Sequence, residues 1–421
     1  MSILIRNGWI VTQDSNRNIV KKDIYIESNK IVEISDKITT EADYKINAKD
    51  KIIAPGLINT HTHIAMSLLR GVAEDLNLDS FLDKMFMLDA SRKDEDIYLG
   101  SLLGMIELIR TGTTSFLDLY YSEDIIAKAA LEAGNRAFLG WVVLDKEYTT
   151  QKADPLKNAE HFINEFNNKN ELIVPEVGLQ GIYVCSKETL LKAKELAEKY
   201  DKLVTMHIAE TRKEIYDHQN KFKLRPVEYL DSIGFLSHRL VSVHSVYLTL
   251  NEIYMFAKNQ VSVSHNPVSN MKLGNGGAAP IFEMLKNGIT VTLGTDSVSS
   301  NNNLDMFQVM KTAGLLMKND RWDASIISAQ QILDFATLNG AKALKNDKIG
   351  SIEVDKLADL IIIDPIPNGL PMYRENMVPN IIYALEGLNV DTTIINGNIL
   401  MHDKKLRASK HMLNKLARLS D

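Results

Sequence analysis

Two histidines one residue apart, His61 and His63, are the first side chains in this chain able to do chemistry together. They close an apolar run, Lys51-Ile52-Ile53-Ala54-Pro55-Gly56-Leu57-Ile58, that reads as a strand entering a buried site. Alternate residues of a strand point the same way, so both imidazoles aim at one point. A divalent metal requires that geometry, although two surface histidines at a strand end would look the same. The rest of the chain decides between the two. His207 (with Glu210 three residues on), His244, His265 and Asp296 each end a further apolar run. Five of the ten histidines occupy such ends. The others, His161, His218, His238, His402 and His411, lie in polar or helical contexts and read as surface.

Three neutral imidazoles and one carboxylate can hold a divalent ion and leave a place for water. The assigned set is His61, His63, His207 and Asp296, for one metal per chain. Zinc fits; iron and manganese use similar donors. Such an ion lowers the pKa of water from about 15.7 to about 7, giving a nucleophile at neutral pH. Glu210, just past His207, is placed to shuttle a proton between that water and a substrate. His244 is placed to orient the nucleophile or stabilise charge on its oxygen.

These groups need a scaffold that brings many strand ends to one rim. Candidate strands are 57–61, 114–119, 137–144, 173–179, 203–208, 240–244, 261–265 and 289–296. Helical patterns alternate with them, over 96–110, 187–200 and 280–287 among others. Eight such repeats suggest an α/β fold, a (β/α)8 TIM barrel over 55–345, whose C-terminal rim is where active sites form. Residues 1–54 read as short hairpin strands, and 346–421 returns to strands of the same character. The two chain ends together are expected to build a small composite β-sandwich, with a closing helix over 404–421.

Hydrophobic residues make up 45% and charged residues 24% of the 421, the balance of an ordinary globular protein. Lys and Arg number 48 against 54 Asp and Glu, a formal charge of −6. That argues against a nucleic acid or an anionic membrane as partner. No apolar run reaches the roughly 20 residues of a membrane span. Cys185 is the only cysteine, so no intrachain disulfide forms and a cytoplasmic location is expected. Its neighbours offer no base, so it reads as a packing residue.

The motifs carry a resemblance. Ala54-Pro55-Gly56-Leu57-Ile58-Asn59-Thr60-His61-Thr62-His63 is followed by the run from Leu69 to Leu76, then by His207-Ile208-Ala209-Glu210. Next come Ser264-His265-Asn266-Pro267-Val268-Ser269-Asn270, Leu293-Gly294-Thr295-Asp296-Ser297 and Ser300 to Leu304. Together they resemble the amidohydrolase superfamily, in its branch of S-adenosylhomocysteine/5′-methylthioadenosine deaminases and chlorohydrolase-like proteins. The resemblance implies hydrolytic deamination of an adenine ring, with Glu210 protonating the ring nitrogen and Asp296 and His244 managing the proton of the nucleophile. It implies a nucleoside as partner and, by association, a homo-oligomer.

The implied substrate contacts are Asp89, Trp141, Gln180, Glu210 and His265. Three depart from the family pattern. Gln180 stands where a ribose-contacting His is usual, Asp89 where a ribose-binding Glu is, and Trp141 where members that bind homocysteine carry Arg. Trp141 equally suits a barrel core, and Tyr183 could line the pocket or pack. Lys146 or Lys152 could supply the charge that Trp141 lacks. These departures keep open an aminohydrolase of a free base or triazine: guanine, cytosine or a chlorohydrolase-like substrate. A two-metal site is set aside because 173–179 contains no lysine to bridge the ions. A barrel that has lost catalysis is disfavoured because ligands and proton shuttle are all present.

Overall fold

The structure, a computed structural model, describes residues 1–76, 78–407 and Lys415. Eight parallel strands pair in sequence order: β1 (Leu57–Thr62), β2 (Thr113–Tyr120), β3 (Arg136–Val143), β4 (Ile173–Gly181), β5 (Val204–Ile208), β6 (Leu240–His244), β7 (Ser262–His265) and β8 (Val291–Leu293). Nearly every strand position is buried, as expected where helices cover the sheet and side chains fill its inside. The ring closes between β1 and β8. The Asp296 N–H donates to the His61 carbonyl at 3.0 Å, and the Thr60 hydroxyl donates to the Leu293 carbonyl at 2.9 Å. The result is a (β/α)8 barrel.

Helices start where the sequence supplies caps. The hydroxyls of Ser186, Thr211 and Thr249 accept N–H groups at 3.3, 3.1 and 3.3 Å at the heads of Lys187–Tyr200, Arg212–Phe222 and Leu250–Lys258. Each such cap stabilises its helix by about 1 kcal/mol. The helices expected over 96–110 and 280–287 run as Asp94–Arg110 and Ile281–Lys286. No helix among the described residues is long and apolar enough to cross a membrane.

The last barrel strand differs from expectation. It ends at Leu293, because the chain leaves the sheet at Gly294, where a Cβ would collide with the Asn266 and His61 side chains. Asp296 reaches the rim through a left-handed turn, φ +62°.

Both chain ends build the β-sandwich. One sheet of four strands is wholly N-terminal: Ser2–Arg6, Asp23–Glu27, Lys30–Ser35 and Tyr44–Asn47. The other, of seven strands, is composite, with Ile52–Pro55 antiparallel to Leu360–Ile363 at the join. Ile3, Ile5, Ile24, Ile53, Ile362 and Ile394 pack between the sheets. Past His402 the chain forms another short strand, Lys405–Leu406, where a helix was expected; the rest of that proposed helix lies outside the described residues, apart from Lys415.

Strand Ile52–Pro55 runs into β1 across Gly56, whose missing Cβ makes room for Thr114. The sandwich therefore sets where the His61–His63 strand begins. A second tie is Arg136, at the start of β3. Its guanidinium grips the Asp359 carboxylate twice, at 2.6 and 3.1 Å, with both side chains almost fully buried.

Candidate active site

His61 is the penultimate residue of β1 and His63 follows the strand, and the ring centroids lie 4.8 Å apart. His207, in β5, brings a third ring to within 5.0 Å of His61 and 5.5 Å of His63. Ligand atoms of these three imidazoles all fall within 4.8 Å of one another. Asp296 Oδ1 lies 3.4 Å from Nε2 of both His61 and His63.

The outer shell fixes which nitrogen faces inward. His63 Nδ1 and His207 Nδ1 each lie 2.6 Å from a backbone carbonyl, of Leu119 and Gln180. A carbonyl only accepts, so both Nδ1 atoms donate and both Nε2 atoms keep their lone pairs for an ion. Asp296 accepts from the Ser269 hydroxyl at 2.5 Å, the Ser300 hydroxyl at 3.1 Å and the Ser297 N–H at 2.7 Å.

Burial pulls the imidazole of His61 down to about 4, and that of His207 well below the usual range, so both stay neutral. Burial pushes Asp296 up, but His61, His244 and His63 outweigh it and hold the carboxyl well below its ordinary value. Neither ring nitrogen of the buried His61 has a hydrogen-bond partner among the described residues. A buried imidazole without a partner, facing a carboxylate and two more lone pairs, fits a tetrahedral divalent cation.

His244, ending β6, is held by Asn270, whose Oδ1 lies 2.8 Å from Nδ1. Its Nε2 lies 3.7 Å from Glu210 Oε2. Glu210 and His244 thus flank the imidazole cluster on one side.

A cavity of about 390 Å³ opens over these groups, within the roughly 300–1,000 Å³ of small-molecule sites. His63, His207, Glu210, His244 and Asp296 form its charged and polar floor. Asp89 and Gln180 line it too. Asp89 accepts from the Tyr120 hydroxyl and from Arg92 at 3.2 Å. Gln180 donates to the Tyr183 hydroxyl at 3.2 Å, and Tyr183 itself lines the cavity. The far wall is Phe81, Met85, Val142, Leu144, Tyr148 and Gln151. Among the described lining residues there is no Lys or Arg; Lys146 and Lys152 are not among them.

Two expected substrate contacts lie elsewhere. Trp141 is set back from the lining: its indole N–H donates to Gln151 Oε1 at 2.9 Å and its ring packs on Phe162. Gln151 takes the wall position instead. His265 is buried outside the lining, with no partner for either ring nitrogen among the described residues. His218, read as surface, is buried between Phe222 and Tyr229, its Nδ1 2.8 Å from the Leu224 carbonyl. Cys185 is buried and its thiol is pushed up to about 12 by that burial, which leaves it inert.

Sequence reasoning missed Ser269, Asn270 and Ser300 as holders of Asp296 and His244, although all three lie inside the quoted motifs. It also missed Arg92, which pairs with Asp89 three residues earlier, and Tyr120, which reaches Asp89 only through the fold.

Residues 52–400 match the model of the amidohydrolase family. The chain belongs to that family. This amidohydrolase is 42% identical over 416 residues to the 5′-deoxyadenosine deaminase of Methanobrevibacter smithii, covering 96% of this chain and 94% of that one. It is 40% identical over 404 residues to the 5-methylthioadenosine/S-adenosylhomocysteine deaminase of Thermococcus sibiricus, covering 95% and 94%. Among solved structures it superposes on an adenosine deaminase from Xanthomonas campestris with bound zinc, at a TM-score of 0.94, 29% identity and 100% and 98% coverage. An atrazine chlorohydrolase from Arthrobacter aurescens, at TM-score 0.90 and 21% identity over the full length of both chains, shares the fold.

Proposed function

We propose that this amidohydrolase is a metal-dependent hydrolytic deaminase of adenosine-type nucleosides, releasing ammonia and an inosine-type product. The observation that carries the reading is the convergence of His61, His63, His207 and Asp296 beside Glu210 and His244 on the floor of one cavity. Relatives about 40% identical over nearly the whole chain, named as deaminases of such nucleosides, support it.

His61, His63, His207 and Asp296 would hold one zinc ion, which when bound would supply the Lewis acidity that makes water a nucleophile near neutral pH. Glu210 takes one proton from the attacking water and delivers it to the ring nitrogen beside the carbon under attack. His244 and Asp296 hold the second proton until it passes to the exocyclic amine. The carbon–nitrogen bond breaks, ammonia leaves, and the ring keeps a carbonyl. Asp89, with one oxygen held by Tyr120 and Arg92, offers an acceptor to the ribose hydroxyls, and Gln180 a second polar contact.

The 5′ substituent is uncharged in this reading. Away from the metal ligands, the described lining offers no Lys or Arg to meet an anionic group. A carboxylate brought there loses its hydration without gaining a partner. The single buried Cys185 suits a reducing compartment, the cytoplasm. Triazine and guanine hydrolases are 21% identical or less and share only the fold, so the free-base reading is the weaker one.

Ammonia release from adenosine, 5′-methylthioadenosine, 5′-deoxyadenosine, S-adenosylhomocysteine, guanine and cytosine tests the reading. Turnover of the nucleosides, with none of the free bases, is expected. Guanine or cytosine as the best substrate would reject it.

A further inference from the structure

The proton shuttle assigned to Glu210 has to be aimed, and the chain around it does not hold that shape unaided. Ala209 has a left-handed φ of +53°, in a buried position. For a residue with a Cβ that conformation is unfavourable and needs support from its surroundings. Glu214 supplies it. One carboxylate oxygen accepts the Ala209 N–H at 2.9 Å and the other accepts the Glu210 N–H at 2.8 Å. Glu214 is the third residue of the helix capped by Thr211, where a glutamate ordinarily reaches back to the cap's own N–H. Here it reaches one and two residues further back, onto the loop that carries Glu210.

The carboxylate end is held from another element. Asn275 Nδ2 donates to Glu210 Oε1 at 3.0 Å across 65 positions of sequence. Asn275 is buried, and its own Oδ1 has no partner among the described residues. The amide is thus committed to presenting its donor to Glu210. Its place is built by Gly276, φ +86°, where a Cβ would strike the Tyr247 hydroxyl. Tyr247 bridges the two loops: its hydroxyl donates to the Asn275 carbonyl and its N–H donates to the Ala209 carbonyl at 2.9 Å.

We infer that Asn275 and Glu214 are the positioning residues of Glu210, Asn275 acting on the carboxylate and Glu214 on the backbone. The inference rests on the role given to Glu210 above. A charge-assisted N–H donor keeps the Glu210 carboxylate pointed at the cavity floor before substrate arrives, and Glu214 keeps the loop beneath it from relaxing away.

Double-mutant cycles against Glu210→Gln test it, with kcat, KM, metal content and thermal midpoint measured for each protein. Asn275→Asp removes the donor without changing size, and Asn275→Leu removes it without adding charge. Each is expected to lower kcat roughly 10- to 100-fold, the range for losing a hydrogen bond to a charged group, with KM and metal content held. Glu214→Gln, which replaces one acceptor by a donor, is expected to act in the same direction. In the Glu210→Gln background, itself slowed by about 10² to 10⁴, none of the three should cause a further loss, because the group they position has gone. A merely structural role would lower the residual rate again. Wild-type kcat in Asn275→Asp, or losses that persist undiminished beside Glu210→Gln, would overturn the inference. Should Asn275→Leu fail to fold, the isosteric Asp and Gln variants carry the test. Full turnover in Glu210→Gln alone would instead reject the role of Glu210 itself.

Discussion

His207 Nδ1 lies 2.6 Å from the carbonyl oxygen of Gln180. The ring is thus held by backbone, while the Gln180 side chain faces the cavity and donates to Tyr183. In the proposed reading this one residue serves the metal site through its main chain and the substrate through its side chain. Gln180→Ala should therefore keep its metal by elemental analysis and raise KM for adenosine-type substrates about 2- to 10-fold, the effect of a neutral hydrogen bond. Loss of the metal would mean that the side chain, not the carbonyl, secures His207.

The lack of a Lys or Arg in the described lining gives a specificity expectation. 5′-Deoxyadenosine and 5′-methylthioadenosine should exceed S-adenosylhomocysteine in kcat/KM by roughly 10- to 200-fold, the cost of leaving a carboxylate without a charged partner. Parallel steady-state measurements decide this. S-Adenosylhomocysteine matching either of the others would mean that a cation outside the described lining meets its carboxylate.

What could be read in the sequence followed from local rules. The His61–His63 pair was legible because strand alternation alone converges their rings. Asp296 was legible as a member of a strand-end set, but the strand stops at Leu293 and a left-handed turn carries the carboxylate to the rim. Which wall a side chain faces was not legible. Trp141 sits at a strand position that could serve cavity or helix packing, and Phe162 on a neighbouring helix decides it. His218 fell in a polar stretch, yet the helix turns it inward between two aromatics. Asn275 and Glu210 are far apart in sequence, and only the side-by-side order of β5, β6 and β7 brings them together.

The tie between barrel and sandwich yields a stability expectation. Arg136→Ala leaves Asp359 as a buried carboxylate without its guanidinium. Breaking such a pair from one side costs about 3–5 kcal/mol. Denaturant unfolding should register a loss of that order, with activity per folded molecule retained. A change below about 1 kcal/mol, the scale of a surface pair, would place the Arg136–Asp359 contact in water.

Glu176, within β4, accepts the Leu203 N–H at 2.5 Å. Burial pushes its carboxyl up to about 7 from 4.5, against the charge of Lys202 and that hydrogen bond. The folded chain therefore keeps a proton that the unfolded chain has released. The stability from this group is fully present below 4.5 and is lost as pH rises through 7. Glu176→Gln, neutral throughout, should show a shallower fall of the thermal midpoint between about pH 5 and about pH 8. Some slope should remain, because burial also pushes Glu214 up to about 7. Parallel curves for the two proteins would mean that Glu176 is already ionised in the fold.

In the proposed reading, one metal bound by His61, His63, His207 and Asp296 enables deamination. Zinc titrated into chelator-stripped protein, with ammonia release from 5′-deoxyadenosine as the readout, tests it most directly. Activity should start near zero, rise in proportion to added zinc and break sharply at one equivalent per chain. Full activity in the stripped protein, or a break at two equivalents, would contradict it.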